Sequence, residues 1–304
     1  MNTIDILISS ALGLIMFGIG SSLKFKHFKS LFKRTKPIIT GLSFQMIFLP
    51  IFAFLLVAFS NLSPELKIGL FIVSICPGGT TSNFISYIVK ADVELSVTLT
   101  SINSILILFT IPLLSNLAIS SFHGDTLVGN ITIYNTFLHV LFILLVPAVL
   151  GIWFKEKFNN LSLKIQRPLK ILNTLLIALV FGIKFFAGTS SGGSGISQVE
   201  VFKILPYALV LHFGTMLTSY FLAKKISINN LQSTTIGIEV GLQNTTLALL
   251  VTGTLIGNNE MTKPALVYAI FSFFTTLIFA LVARNIKFLR IYKRKLKNNN
   301  TPNI

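Results

Sequence analysis

Apolar runs of about 20 residues, set apart by short polar segments, occupy nearly the whole chain: 4–23, 37–59, 67–89, 95–119, 131–153, 171–187, 204–223, 231–257 and 262–283. A helix needs about 20 residues to cross the hydrocarbon core of a bilayer, so the pattern predicts nine membrane spans and an all-α fold. Two of these runs are interrupted. In the third, Ser74-Ile75-Cys76-Pro77-Gly78-Gly79-Thr80-Thr81-Ser82-Asn83 sets a proline and two glycines near the midpoint. In the eighth, Gly237-Ile238-Glu239-Val240-Gly241-Leu242-Gln243-Asn244-Thr245-Thr246 is polar inside an apolar stretch. Unpaired backbone groups cost several kcal/mol each in hydrocarbon, so such breaks survive only where protein, water or a ligand satisfies them. Broken spans at corresponding places in two halves of a chain point to the binding site of a secondary transporter.

The halves can be compared directly. Spans beginning at about 4, 37 and 67 are matched by spans beginning at about 171, 204 and 231. The shift is five spans, an odd number, so the second copy is expected to be inverted in the membrane. The predicted division is a first repeat of four spans over 1–120, a second of five over 131–285, and a basic cytoplasmic tail over 286–304. The fifth span, 131–153, would have lost its counterpart before Met1.

Composition agrees with a polytopic membrane protein: 304 residues, 53% hydrophobic, 11% charged, mean hydropathy +0.80. A net charge of +16 would otherwise suggest a nucleic-acid partner. The basic residues instead cluster between spans, with 21 on one side and Lys67, Lys203 and Lys263 on the other, Lys184 lying within a span. Positively charged loops stay cytoplasmic, which puts the N-terminus outside and the C-terminus inside; a bacterial inner membrane is the expected location. No basic leader region or small-residue cleavage site precedes Lys24, so the first run is expected to remain as a span. Gly188 to Gly195 reads as a flexible linker, and Lys293 to Ile304 as a disordered tail. The single cysteine, Cys76, excludes an intrachain disulfide, and no Cys/His ligand set appears.

Of nine acidic residues only Glu239 lies deep in a span. Such a residue is a functional-site hypothesis by default, and its charge must be met by a proton, a base or a cation. Lys184 is near an outer end, from where it can snorkel to the interface, which leaves proton or metal. The oxygen-rich neighbours favour a hard cation: Gln243, Asn244, Thr245 and Thr246 beside Glu239, and Ser82 and Asn83 in the other break. Ser96 and Thr100, spaced i, i+4, share a helix face that Asn103 and Ser104 extend, and Gln45 is an isolated amide in the second span. One acid balances one Na⁺ better than Ca²⁺ or Mg²⁺. Individually, Ser96, Thr100 and Asn103 are equally explained by interhelical hydrogen bonding. His139 and His212 read as packing residues.

These stretches resemble the bile acid:sodium symporter family, part of the bile/arsenite/riboflavin transporter superfamily. Leu12 to Gly20 is similar to its opening span, Cys76 to Asn83 to its first crossover motif, Leu95 to Ser101 to the segment that follows, and Ile238 to Asn244 to the second crossover. The resemblance implies a core domain, in which two discontinuous helices cross, and a flanking panel domain. It further implies one Na⁺ held by Ser82, Asn83, Ser96, Thr100 and Glu239, and a second between Gln45, Glu239, Gln243 and the backbone of Val240 and Leu242. The substrate anion would lie near Thr80, Thr81 and Asn244, with Thr275 and Thr276 standing where some relatives carry a His-Asn pair. Bacterial members commonly have ten spans, against nine here.

The expected activity is therefore Na⁺-coupled import of a small organic anion, bile-acid-like, pantoate-like or a 2-oxo acid, by alternating access. The lipid bilayer is the expected surround, with no obligatory protein partner. The alternatives are a proton-coupled or exporting carrier of the same superfamily, an intramembrane enzyme using Glu239, for which no second carboxylate or nucleophile is at hand, and a scaffold or receptor, which would leave two matched breaks unexplained.

Overall fold

The structure, a computed structural model, describes residues 13–14, 16–18, 20–21, 34–122, 133–186 and 193–299. Most of the first expected span and the basic cluster after it fall outside the described residues, as do 187–192 and 300–304. The described residues are helical and contain no strand.

In chain order the helices are α1 (Thr35–Ala58, with a π-helical turn at Phe44–Phe48), α2 (Pro64–Ser74), α3 (Thr80–Ile88), α4 (Val93–Phe122) and α5 (Ile133–Lys157). There follow α6 (Asn159–Phe186), α7 (Gln198–Lys225), α8 (Asn230–Gly241), α9 (Thr245–Leu250, continued by a π-helical turn at Val251–Leu255) and α10 (Lys263–Asn299). Among the described residues, four helices are long and apolar enough to cross a membrane: 35–58, 93–122, 198–225 and 260–284. Their outer faces are those of lipid-facing helices. On α4, Phe109, Leu113 and Leu117 are exposed, whereas Ser96 and Asn103 are buried with Leu99, Ile107 and Ile111.

Helix ends follow the local chemistry. Pro64 starts α2, where its missing N–H costs nothing. Asn229 caps α8 by accepting from Gln232 N–H at 2.9 Å. Ser197 and Glu200 form a reciprocal capping box on α7. Lys90 (φ 52°) and Ser227 (φ 64°) close α3 and α7 in the left-handed conformation, with the next amides returning to Ser86 O at 2.9 Å and Ala223 O at 3.1 Å, the usual way orphan C-terminal carbonyls are satisfied.

Both interruptions are present as breaks. Ile75–Gly79 separates α2 from α3, and Leu242–Asn244 separates α8 from α9. They meet: Asn244 N–H donates to Cys76 O at 2.9 Å. A Cβ on Gly78 would lie 2.5 Å from Leu242 O, so only glycine lets these two backbones approach. Around them α7 packs along α8, and α10 packs against α2, α3, α7, α8 and α9.

Two expectations are corrected. The basic segment between Lys155 and Lys170 is not a loop, for α6 begins at Asn159 and carries it as helix. The tail is helical as far as Asn299, since 284–299 holds no glycine or proline and is rich in helix-forming Lys, Arg and Leu. In the stretch read as a linker, 187–192 lies outside the described residues, while Ser194 is buried and donates its N–H to Lys184 O at 2.9 Å.

Candidate functional site

The centre of the site is Glu239, fully buried in the last turns of α8. Its Oε1 accepts from the Ser96 hydroxyl and its Oε2 from the Thr100 hydroxyl, the latter at 3.1 Å. Both hydroxyls also reach Asn83 Oδ1, Ser96 Oγ at 2.8 Å and Thr100 Oγ1 at 3.3 Å. Ser82, buried one residue earlier, donates to Gly79 O at 2.8 Å. The i, i+4 spacing puts Ser96 and Thr100 on the α4 face that packs on α3 and α8. All five side chains expected around a first cation thus come from three elements to one point.

That point is poor in protons. Each hydroxyl has one proton to give, and each faces two acceptors, the Asn83 amide oxygen and one oxygen of the carboxylate. An oxygen-lined nest of a carboxyl, hydroxyls and an amide oxygen is a donor set a hard monovalent cation takes. Among the described residues, no three His, Cys, Asp or Glu side chains gather as they would for a transition metal.

The residues expected around a second cation lie beside the first. Gln45, held inward on the π-helical turn of α1, donates Nε2 to the Glu239 backbone carbonyl at 3.2 Å. Single π turns inside α-helices commonly mark functional positions. Gln243 donates Nε2 to Val240 O at 2.6 Å, and its Oε1 is buried without a partner. Leu242 O faces Gly78.

The residues expected around the anion are not gathered in the same way. The Thr80 side chain lies outside the described residues, and Thr81 is exposed. The Asn244 amide oxygen accepts from Leu247 N–H at 3.0 Å as the cap of α9. Thr275 Oγ1 lies 2.8 Å from His212 Nε2 and 2.9 Å from Phe271 O. Thr276 is buried and its hydroxyl has no partner.

Two contributors were missed. His212 was read as packing, and it is buried, but both its nitrogens are engaged: Nδ1 lies 3.0 Å from Gly241 O and Nε2 faces Thr275. A carbonyl only accepts, so the proton sits on Nδ1, and Nε2 competes with Phe271 O for the one proton of the Thr275 hydroxyl. Tyr268 also donates to Gly241 O, at 2.5 Å. The carbonyl that ends α8 is therefore held from two neighbouring helices. Nothing local in sequence marks Tyr268; only the pairing of a buried His with a helix-ending Gly hints at it. Asn103 was noted only as extending a polar stripe, and it donates to Gln45 Oε1.

Lys184 differs from expectation. Its side chain is buried and its Nζ donates to Asn259 Oδ1 at 2.7 Å rather than reaching outward. His139's side chain lies outside the described residues.

Residues 9–191 match the Sodium Bile acid symporter family. The chain is similar to the "Uncharacterized sodium-dependent transporter YocS" of Bacillus subtilis, 29% identical over 78% of this chain and 70% of that protein. It is similar to the "Probable sodium/metabolite cotransporter BASS1, chloroplastic" of Oryza sativa, 27% identical over 84% of this chain, of whose length it spans 60%. The ileal sodium/bile acid cotransporter of Homo sapiens is 28% identical over 81% of this chain and 70% of its own.

Proposed function

The chain belongs to the sodium bile acid symporter family, and from that premise we propose that it imports a small organic anion together with Na⁺. The observation that carries this reading is the buried Glu239 carboxylate, which accepts from the Ser96 and Thr100 hydroxyls, themselves shared with Asn83 Oδ1, beside the place where two helix breaks touch. The family is one of transporters, which leaves the enzyme alternative without support.

In this reading Ser82, Asn83, Ser96, Thr100 and Glu239 hold one Na⁺; Glu239, Gln45, Gln243 and the Val240 and Leu242 carbonyls hold the second. Bound Na⁺ neutralises the carboxylate and orders both breaks. The N-terminal ends of α3 and α9 then offer their positive dipole ends to an anion near Thr80, Thr81 and Asn244, with Thr275 and Thr276 on α10 closing the site, so a carboxylate is bound without an arginine. Coupling runs by linkage: the cations build the anion's site, and the anion tightens the cations in return.

The finer architecture belongs to the same proposal: nine spans in two inverted repeats over 1–120 and 131–285, core and panel domains, the N-terminus outside and the C-terminus inside a bacterial inner membrane. Two Na⁺ moving down a tenfold gradient supply about 2.8 kcal/mol. One net charge across 100 mV adds about 2.3 kcal/mol. Together these sustain a several-thousandfold gradient of a monovalent anion.

The test is thermal unfolding of the purified protein in detergent, in NaCl, KCl and choline chloride at constant ionic strength, with Glu239→Gln alongside. A cation at 100 times its Kd adds about 2.7 kcal/mol of apparent stability. A rise specific to NaCl and missing in the variant is expected. Equal curves in the three salts would reject sodium coupling and favour a proton-coupled carrier.

A further inference from the structure

The amides around Glu239 are oriented by a chain of hydrogen bonds with only one consistent direction. The Glu239 backbone carbonyl can only accept, so the nitrogen of Gln45 must face it, as it does at 3.2 Å. The oxygen of that amide then faces away, and Asn103 donates Nδ2 to it. Asn103 is left with its Oδ1 turned out of the chain, fully buried and without a hydrogen-bond partner. Flipping any one amide would set oxygen against oxygen or nitrogen against nitrogen, so the bonds themselves fix the assignment.

Gln243 repeats the arrangement from the other side. It donates to Val240 O, the carbonyl next to that of Glu239, and its Oε1 is likewise buried and unpartnered. Two amides anchored on successive carbonyls at the end of α8, one directly and one through Gln45, thus each leave over an oxygen that nothing in the protein satisfies. Buried acceptors left unmade are a net cost, and two of them, one a turn beyond Thr100 on α4 and one just beyond Glu239 at the end of α8, suit a cation better than any donor the protein offers.

We propose that Asn103 is a further cation-binding residue, its Oδ1 serving with Gln243 Oε1 as an oxygen ligand of the second Na⁺. This rests on the sodium reading above. It also changes the part played by Gln45, whose oxygen is already engaged: Gln45 aligns Asn103 and so helps set which oxygen the ion meets.

The test follows the unfolding temperature of the full chain in detergent as NaCl replaces choline chloride at constant ionic strength. The proteins are the wild type, Asn103→Leu, Asn103→Ser and Asn103→Asp. The expected result is a saturable Na⁺-specific rise in the wild type. The half-saturating Na⁺ concentration should increase tenfold or more in the Leu and Ser variants, with the Hill coefficient falling toward one, and Asp, which keeps an oxygen for the ion but loses the N–H that faces Gln45 Oε1, should lie closer to the wild type than Ser does. A packing role lowers the unfolding temperature in every salt without moving the midpoint. Unchanged midpoint and Hill coefficient in the Ser variant, or in the Leu variant, would overturn the proposal and leave a buried water as the filler of that position, with sodium coupling intact. A wild type without any Na⁺-specific rise would overturn the sodium reading itself and this inference with it. Should Leu fail to fold, the Ser and Asp comparison decides alone.

Discussion

Replacing Gly78 by alanine tests the meeting of the two breaks more sharply than removing any side chain. The new Cβ would lie 2.5 Å from Leu242 O, 3.1 Å from Ser82 Oγ and 3.2 Å from Ser82 Cβ. The first of these is a backbone atom of the opposite break, and moving it disturbs the Asn244 N–H bond to Cys76 O as well. Overpacking usually costs about 1–3 kcal/mol, and with backbone on both sides the upper end applies, about 3 kcal/mol. At about 2–4 °C per kcal/mol for a chain of this size, the unfolding temperature should fall by about 6–12 °C. Gly79→Ala is the matched control. Its Cβ meets only the end of the Asn244 side chain, at 3.3 Å to Nδ2 and 3.9 Å to Cγ, and should cost less than about 1 kcal/mol. Thermal unfolding of both variants in detergent, in choline chloride to keep the cation sites out of the comparison, reads the difference. Equal losses, or a Gly78→Ala protein as stable as the wild type, would refute the claim that the backbones touch here.

Three further outcomes follow from the geometry. Tyr268→Phe removes one of two donors to Gly241 O and should cost about 1–2 kcal/mol, while Tyr268→Phe with His212→Gln should cost more than the two single changes together, because the first loss leaves the second donor alone on a buried carbonyl; additive losses in chemical or thermal unfolding would argue against a shared acceptor. Lys263→Met removes the ammonium that pairs with Glu200 at 2.6 Å and Glu260 at 2.7 Å; with both carboxylates partly exposed the loss should be about 1 kcal/mol or less and should shrink as salt rises, and a loss independent of salt would point to packing of the lysine stem instead. Thr235→Val removes a hydroxyl that accepts from Asp92 N–H at 3.0 Å and donates to Asp92 O at 3.2 Å; hydrogen exchange at the Asp92 amide should speed up at least several-fold, and unchanged exchange would mean that the α3–α4 turn is held by Arg34 and the Leu95 amide alone.

The breaks were legible because helix breakers and polar residues in an apolar run leave few physical options, and Glu239 stood out because no other acid lies as deep. Ser96 and Thr100 could be placed by helical spacing once that carboxylate was chosen. What escaped notice depends on contacts between distant segments. The π turn that carries Gln45 has no sequence mark, as Phe44 to Phe48 is an ordinary apolar stretch with one amide. The engagement of His212 at both nitrogens requires Gly241 and Thr275, which are far apart in sequence. Lys184 was assigned to the interface from its place in the span, yet Asn259 meets it from a loop whose position no periodicity reports. Loop and tail boundaries failed for a simpler reason: Lys and Arg mark the polar ends of spans, but they are also good helix formers, so charge clusters do not locate where a helix stops.

The bond from Asn244 N–H to Cys76 O also bears on how the protein is made. Cys76 leaves the ribosome long before Asn244, so during synthesis the first break reaches the bilayer with its carbonyl unanswered, and for that interval α2 and α3 have reason to stay near water or the insertion machinery rather than settle in lipid. The first half is an unfinished object until the second arrives. Expressed as two separate pieces cut between α5 and α6, the halves should each be short-lived and should rescue one another when made together, and truncation before Leu242 should expose the early breaks to quality-control proteolysis.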